Sequence, residues 1–370
     1  MRNFIDELLK LFQASGYILI ITFFIALIWS NVNNSYFYIF HNKSIHFFIN
    51  EILMAFFFLL VGLEIKRELL IGHLNSFKKA LLPAILAFFG AITPAIIFLL
   101  FNINNLETIK GWGIPMATDI AFAFLIISLS KAPYSLRIIL LSIAIIDDII
   151  AVIVIGIFYT KGFNLLFTSI IPIIGILLFI INRYFYRDWI LILSFPFVWY
   201  IFYKSGIHPA ISGVFMSFFV KLDRIEMWED KLDNFVDFIV LPIFILANSG
   251  IEIKHFDFSN IFSNLSLGIM LGLFFGKQIG ITISALIFNK LKIVEFPENI
   301  KISHIWAMSL TCAIGFTMSI FISELAFYNN KELLEISKMS IFLASFISAI
   351  VGLIVLRTLK FQYERTEKKI

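Results

Sequence analysis

Long apolar runs separated by short polar stretches dominate the hydrophobic pattern of this chain. A helix needs roughly 20 apolar residues to cross the hydrocarbon of a bilayer, and about twelve runs are long enough. Alternating polar and apolar segments, as in outer-membrane barrels, are missing, which leaves the helix as the element that satisfies its own backbone in lipid. The pattern therefore predicts an all-α polytopic membrane protein with about 12 transmembrane helices, centred near Phe24, Phe58, Phe89, Phe122, Ile150, Ile173, Phe197, Val214, Ile243, Leu273, Ala313 and Ser345.

Composition supports a membrane protein and excludes most soluble classes. The 370 residues are 60% hydrophobic and only 15% charged. Asp6 and Glu7 precede the first apolar run and no small-residue cleavage site follows it, so a secretory signal is not expected. We expect one transmembrane domain over residues 1–370, with a short interfacial amphipathic helix at 1–12 and a basic cytoplasmic tail at 357–370.

The distribution of basic residues predicts the orientation of the chain. Most of the 29 Lys and Arg residues lie in the two termini and in the even-numbered loops. Because basic loops stay on the cytoplasmic side, both termini are expected in the cytoplasm. The net charge of +4 is then explained by basic residues that anchor the chain at the membrane surface, and no nucleic-acid partner is expected.

Two adjacent aspartates lie in the middle of an apolar run. Asp147 and Asp148 occur within LLSIAIIDDIIAVIVIGIF, residues 140–158. Carboxylates at membrane depth are costly and are retained mainly along ion, proton or substrate paths. Neighbouring helical residues point about 100° apart, so we expect one carboxylate to face a cavity and the other a neighbouring helix. The structural alternative is a pair of buried aspartates satisfied by local hydrogen bonds.

Two segments indicate interrupted helices. In GWGIPMATDIAFAFLIISL, residues 111–129, Pro115 removes a backbone donor just before Thr118 and Asp119. The carboxylate of Asp119 would offset the positive N-terminus of the following half-helix; the alternative is a simple proline kink with a capping aspartate. A second break is expected around Gly315 and Thr317 in the later half of the chain. Paired breaks of this kind are typical of inverted-repeat transporters with a site near the midplane.

Lys277 is a basic residue inside an apolar span. It lies beside a stripe of glycines that predicts close helix packing, at Gly268, Gly272, Gly276 and Gly280. A buried lysine needs a counter-ion or helix C-terminal carbonyls to stay charged, and the alternative is snorkelling to the interface. Metalloprotease and hydrolase signatures are missing, so neither an enzyme nor a bound cofactor is expected.

Six segments together resemble the NhaA family of bacterial sodium/proton antiporters. They occur in the family's order and cover nearly the whole chain: FFFLLVGLEIKRELLIG (56–72), ATDIAFA (117–123), AIIDDIIAVIVIGIFYT (144–160), LPIFILANSG (241–250), GLFFGKQIGI (272–281) and AIGFTMSIFI (313–322). The resemblance implies an electrogenic Na⁺(Li⁺)/H⁺ antiporter that works by alternating access in the bacterial inner membrane. It also implies inverted repeats with a fourth and an eleventh helix that are broken and cross each other.

The resemblance assigns roles to individual residues. It implies that Asp148 is the main cation and proton carboxylate, with Asp147 beside it and Thr118 as a nearby ligand of Na⁺. Asp119 is implied to offset the positive half-helix ends, and Lys277 the negative ends, with Lys277 also a candidate partner of Asp147. A cytoplasmic entrance with a pH response is implied for Glu64, Arg67, Glu68 and Glu229.

The chain departs from the family pattern in four places. The connection at 31–43 is shorter than the family's usual β-hairpin at the dimer contact, which leaves homodimerisation open. Gln278 replaces a proline, and Glu324 adds a carboxylate near the end of helix 11. Asp230 and Asp233 stand where the cytoplasmic loop often has histidines, so we expect mainly a smooth competition between H⁺ and Na⁺ rather than a separate pH switch.

Two functions of other classes remain as alternatives. A passive cation channel would lack obligatory coupling, and an organic-anion symporter on a related fold would need a roomier site with several polar ligands. The polar residues at the predicted breaks are few and mostly carboxylates, which favours a small cation.

Overall fold

The computed structural model describes residues 2–130, 132–160, 162–254, 256–297 and 299–359, and for residues 2–13 it describes the backbone only. These residues form helices and connecting loops without a strand, as the hydrophobic pattern predicts. Contacts divide the chain into two compact units, one of residues 1–17, 76–148 and 257–370, the other of residues 18–75 and 149–256. The boundaries fall inside two helices and in two loops.

The first unit carries both predicted breaks. Its helices are α5 (Phe77–Asn102), α6 (Ile120–Leu129), α7 (Tyr134–Phe158, up to Asp148), α13 (Asn264–Leu271), α14 (Lys277–Lys290), α15 (Ile302–Cys312), α16 (Phe316–Ala326) and α17 (Lys331–Thr358). A 3₁₀ segment at Thr108–Met116 precedes α6, and a π-helical turn at Gly272–Gly276 joins α13 to α14.

The second unit contains the remaining helices. After α1 (Arg2–Val32), which begins in the first unit, these are α2 (Ser35–Phe40), α3 (Lys43–Phe47), α4 (Met54–Leu70), α8 (Leu165–Phe185), α9 (Asp188–Ser205), α10 (Ile211–Ser217), α11 (Ile225–Phe235) and α12 (Leu241–Asn248). Its core is an apolar cluster from α4, α8, α9 and α10 that includes Leu63, Leu178, Phe202 and Met216. The lipid-facing side of α8 exposes Ile173, Ile176 and Phe179, as expected for a helix in a membrane.

Seven helical stretches of the described residues are long and apolar enough to cross a membrane, where α3 with α4 and α13 with α14 each count as one stretch across a π-helical turn. There are nine spans if each of two bent pairs also counts as one. Nine of the predicted centres fall in these spans. The other three, Phe197, Val214 and Ile243, fall in α9, α10 and α12, none of which is among these spans. α9 has 18 residues, α10 has seven, and the last centre lies where a π-helical turn, Val236–Val240, leads into α12.

The predicted terminal segments have different outcomes. Residues 2–13 are helical but continuous with the first span, so their position at the interface stays a prediction. The predicted tail at 357–370 lies outside the described residues from position 360 onwards.

The short connection at 31–43 contains α2, and Tyr36 holds α2 against the end of α12: its hydroxyl donates to the carbonyl oxygen of Leu246 at 2.7 Å and accepts from Gly250 N at 2.8 Å.

Both predicted breaks are present. The 3₁₀ segment that contains Pro115 ends at Met116, Ala117 is extended, and α6 begins at Ile120 with a bend of 41°. α15 ends at Cys312 and α16 begins at Phe316, with a bend of 49°. Pro115 cannot supply the N–H that would continue an α-helix, which explains the position of the first break.

The glycine stripe packs against α5, as predicted. A Cβ atom on Gly280 would lie 2.2 Å from the carbonyl oxygen of Phe89, and one on Gly276 would lie 2.7 Å from the Cα atom of Pro94. Backbones approach this closely only where no side chain intervenes. The stripe therefore fixes the distance between α5 and the helix that carries Lys277.

We expect Gly280→Ala to destabilise the protein by about 1–3 kcal/mol, because the new methyl group has no space beside Phe89. The matched control is Gly352→Ala in α17, where a Cβ atom would find ordinary contacts of 3.4 Å or more, and where alanine gains up to about 1 kcal/mol in helix propensity. Thermal unfolding in detergent measures both variants. Equal melting temperatures would contradict the close approach at Gly280.

Candidate ion-binding site

The two breaks lie against each other in the first unit. The amide of Asp119 donates to the carbonyl oxygen of Ile314 at 2.7 Å, which joins the two unwound segments directly. The hydroxyl of Ser319 donates to the carbonyl oxygen of Ile114 at 2.8 Å, and the rings of Phe122 and Phe316 are 4.5 Å apart. Backbone groups freed by each break are thus bonded by the other break, as an apolar environment requires.

Asp119 caps two helices at once. One carboxylate oxygen accepts from the amide of Phe122 at 3.1 Å, which makes Asp119 the N-cap of α6. The other oxygen accepts from the amide of Thr317 at 2.9 Å and from the Thr317 hydroxyl, in the first turn of α16. Both half-helix N-termini point their positive ends at this carboxylate, so the geometry matches the implied charge compensation.

Asp147 faces two neighbours. Its Oδ2 atom lies 2.5 Å from Nζ of Lys277 and 2.7 Å from the hydroxyl of Thr118. The Thr118 hydroxyl is also 2.8 Å from the carbonyl oxygen of Cys312, and its single proton can serve only one of these acceptors at a time. The Oδ1 atom of Asp147 is buried and accepts no hydrogen bond from the residues that the structure describes.

Lys277 is fully buried, so the snorkelling alternative is wrong. Within the described residues its ammonium bonds only to Asp147, and no hydrogen bond to helix-end carbonyls accompanies that ion pair. The carboxylate partner is therefore observed, while a role toward the negative helix ends stays a prediction.

Asp148 is buried on a different side of α7. Only 4% of its surface is exposed, and across the described part of the chain it makes neither a hydrogen bond nor an ion pair. Its nearest charges are Asp147 and Asp119, which repel its ionised form, and Lys277, which attracts it. The alternative of two aspartates satisfied by local hydrogen bonds therefore fails for Asp148.

The site has more acidic than basic groups. Three carboxyl groups and one ammonium are buried together, so full ionisation would leave uncompensated negative charge in a low-dielectric region. A proton or a small cation relieves that charge. The carboxylate, hydroxyl and carbonyl oxygens here are ligands suited to hard cations; no group of three or more His, Cys, Asp or Glu placed to hold a metal ion occurs among the described residues.

A second polar cluster lies in the other unit, around α4 and α11. Nε of Arg67 is 3.3 Å from Oε1 of Glu229, and another guanidinium nitrogen is 3.6 Å from Glu68. Glu68 also accepts from the amide of His73 at 2.8 Å, and Glu64 is buried one turn earlier on α4. The structure thus brings together the four residues of the implied entrance.

Two acids of α11 titrate near physiological pH. α11 lies outside the candidate spans. Burial raises the pKa of Glu229 to about 8, which outweighs the opposing effect of Arg67, and Asp233, Glu68 and Asp230 raise it further. Burial also raises the pKa of Asp233 to about 6, again against Arg67.

Sequence reasoning missed some participants. Thr317 appeared only as part of a break, although it donates twice to Asp119. The match between Thr118-Asp119 and Thr317-Met318 in the two halves was the available signal. The Cys312 carbonyl could not be found from residue types, because it is a main-chain group freed by the end of α15.

Comparison with known proteins identifies the family. A family model described as Na⁺/H⁺ antiporter 1 matches residues 6–356. The chain belongs to this family, and the NhaA resemblance is confirmed. It is similar to Na(+)/H(+) antiporter NhaA 1 of Clostridium beijerinckii, with 41% identity over 95% of this chain and 94% of the relative. Na(+)/H(+) antiporter NhaA of Pelagibacter ubique is 37% identical over 94% and 95% of the two chains.

Membership of the NhaA family fits the described fold. Antiporters are transporters rather than enzymes. The bacterial relatives and the long apolar helices together support a multi-pass protein of the bacterial inner membrane. The broken pairs, the aspartate pair and the buried lysine all lie on the matched part of this NhaA-family chain.

We expect Lys277→Ala to lower the free energy of unfolding by about 3–5 kcal/mol, because Asp147 would lose the charge that it is buried against. The double variant Asp147→Asn/Lys277→Ala should recover part of this loss, since neither member of the pair is then left charged without the other. Lys331→Ala, at a lysine whose side chain is 65% exposed, is the control. Equal melting temperatures for Lys277→Ala and the control would exclude a stabilising ion pair.

Proposed function

We propose that this chain exchanges cytoplasmic Na⁺ or Li⁺ for external H⁺ across the inner membrane. The observation that carries the proposal is the buried carboxylate of Asp148, which has neither a hydrogen bond nor an ion pair to any described residue and lies beside Asp147, near the junction of two broken helices. Family membership supports Na⁺ and H⁺ as the exchanged ions. Asp148, Asp147 and Thr118 are the proposed cation ligands.

The proposed coupling follows from electrostatics. A dehydrated cation needs ionised carboxylates as ligands, whereas an empty site at this depth is stabilised by protonation. Proton and Na⁺ therefore exclude each other from Asp148. When such a site opens alternately to the two sides of the membrane, each ion can leave only after the other has replaced it, which is antiport.

Lys277 offers a second proton carrier. A cation bound to Asp147 would compete with the Lys277 ammonium, 2.5 Å from Oδ2, for the same oxygen. The lysine would then lose its counter-ion in an apolar region, which favours release of its proton. Return of a second proton per cycle would make exchange electrogenic, so that the membrane potential drives Na⁺ extrusion.

The two alternative functions receive less support. A passive channel needs a site weak enough for ions to leave without a replacement, and an uncompensated carboxylate next to two others does not provide that. An organic-anion symporter would need positive charge facing its substrate, but both half-helix N-termini are already capped by Asp119.

We further propose that exchange is regulated by pH through α11. The sequence predicted a smooth response because histidines are missing there, but buried Glu229 and Asp233 titrate in a similar range, with pKa values of about 8 and about 6. Each acid is neutral below its pKa and becomes charged as the pH rises. Because burial raises both pKa values, this change of charge occurs near neutral pH instead of in acid. A charged Glu229 would strengthen its pairing with Arg67 above about pH 8.

Asp148→Asn should abolish Na⁺-dependent proton movement in everted vesicles while leaving the protein folded, because an amide cannot alternate between proton and cation. Asp147→Asn should be severely impaired as well. Asp223→Asn, at an exposed position outside the spans, serves as the control and should keep its rate. Wild-type exchange in Asp148→Asn would reject the site assignment.

Glu229→Gln should change the pH profile of the maximal rate at saturating Na⁺. In the wild type we expect this rate to fall as the pH drops through about 8, and the amide should remove that step because it stays neutral. Competition at the carboxylate site should persist, seen as a Na⁺ affinity that weakens at low pH. The exposed neighbour Glu226→Gln is the control. If the wild-type maximal rate does not change with pH, the competition-only mechanism expected from the sequence holds instead.

A further inference from the structure

A buried ion pair lies in the first unit, apart from the site. Nζ of Lys338 in α17 is 2.7 Å from Oε1 of Glu324 in α16, and the two side chains are only 10% and 6% exposed. Ionisable groups in spanning segments are costly and are rarely retained without a role.

α17 holds α16 at a second place, next to the break. The amide of Phe316, the first residue of α16, lies 3.4 Å from the hydroxyl of Ser345, and the ring of Phe316 is 5.4 Å from that of Phe342. Lys338, Phe342 and Ser345 are four and three residues apart, so they lie on one face of α17.

The two attachments together fix α16 in position. Phe316 and Glu324 are eight residues apart, which corresponds to roughly 12 Å along a helix. A helix of 11 residues that is held at both ends can neither slide nor rotate on its neighbour. The ion pair is the electrostatic half of this clamp, and the contacts of Phe316 with Ser345 and Phe342 are the other half.

What the clamp positions is the first turn of α16. That turn presents the amide and hydroxyl of Thr317 to the carboxylate of Asp119. The amide of Asp119 donates to the carbonyl oxygen of Ile314, in the break that precedes α16. Thr118, the residue directly before Asp119, contacts Asp147. A shift of α16 would therefore pass to Asp147 through short polar contacts.

We propose that the Glu324–Lys338 ion pair positions the cation site, so that its loss weakens Na⁺ affinity more than it slows turnover. This proposal rests on the proposed Na⁺/H⁺ exchange. Glu324 and Lys338 are positioning residues and contact neither ion.

The test replaces the pair by apolar side chains, in Glu324→Leu/Lys338→Met. Such replacements of a buried pair are often neutral for stability, so the variant should fold. The matched control is Lys331→Met/Glu335→Leu, at the ion pair on the same helix whose lysine and glutamate side chains are 65% and 32% exposed. The charge-reversed variant Glu324→Lys/Lys338→Glu tests rescue.

Rates of Na⁺-dependent proton movement in proteoliposomes at one fixed pH give the KM for Na⁺ and the maximal rate. We expect the apolar variant to raise the KM about five- to tenfold with a smaller change in maximal rate, since small misplacements of binding groups have large effects. The reversed pair should recover most of the affinity, and the exposed-pair control should match the wild type.

A second readout is independent of transport. Na⁺ should raise the melting temperature of the wild type and of the control, and the concentration needed should increase in the apolar variant. A wild-type KM in the apolar variant would overturn the positioning role. If the apolar variant fails to fold, a wild-type KM in Glu324→Gln, which removes the charge from the pair and keeps the shape of the side chain, would overturn it equally. A wild type without Na⁺-dependent proton movement would reject the proposed exchange itself.

Discussion

The need to satisfy backbone groups away from water governs the first unit. Two helices are interrupted at a depth where solvent cannot complete their hydrogen bonds, and each interruption supplies what the other lacks. Asp119 is central to this arrangement because its two oxygens cap two helices from different parts of the chain. The positions of Thr118, Asp147 and Lys277 follow from that junction.

The two adjacent aspartates are chemically unequal although they are neighbours in sequence. Asp147 is held by an ammonium and a hydroxyl, while Asp148 is buried with no partner among the described residues. Asp147 therefore has a counter-ion for its ionised form, whereas Asp148 depends on a proton or a cation for its charge balance. This inequality allows one residue to organise the site and the other to exchange ligands.

Much of this could be predicted from the sequence because membrane depth makes polar residues informative. Pro115 located one break, and the scarcity of charge in apolar runs identified Asp119, Asp147, Asp148 and Lys277. The partners were harder to predict, because Thr317 and the Cys312 carbonyl act through geometry rather than through residue type. The titration range of Glu229 and Asp233 was also hidden, since it comes from burial that a polar helix does not reveal. Two predicted span centres, Val214 and Ile243, fall in a short helix and beside a π-helical turn for a similar reason: hydrophobicity does not show where a helix ends.

The π-helical turn at Gly272–Gly276 has a geometric consequence for the glycine stripe. An α-helix turns 100° per residue, so a strict four-residue repeat drifts around the helix by about 40° at each step. A π turn is wound with more residues per turn and shifts the repeat the opposite way. The glycine stripe therefore stays on the side of the helix that faces α5, at Gly268, Gly272, Gly276 and Gly280. Lys277 directly follows the turn, so the direction of its side chain around the helix axis is fixed relative to the stripe. Rewinding the residues of this turn as a regular α-helix, with none removed, would rotate the lysine away from Asp147 without changing any residue of the site.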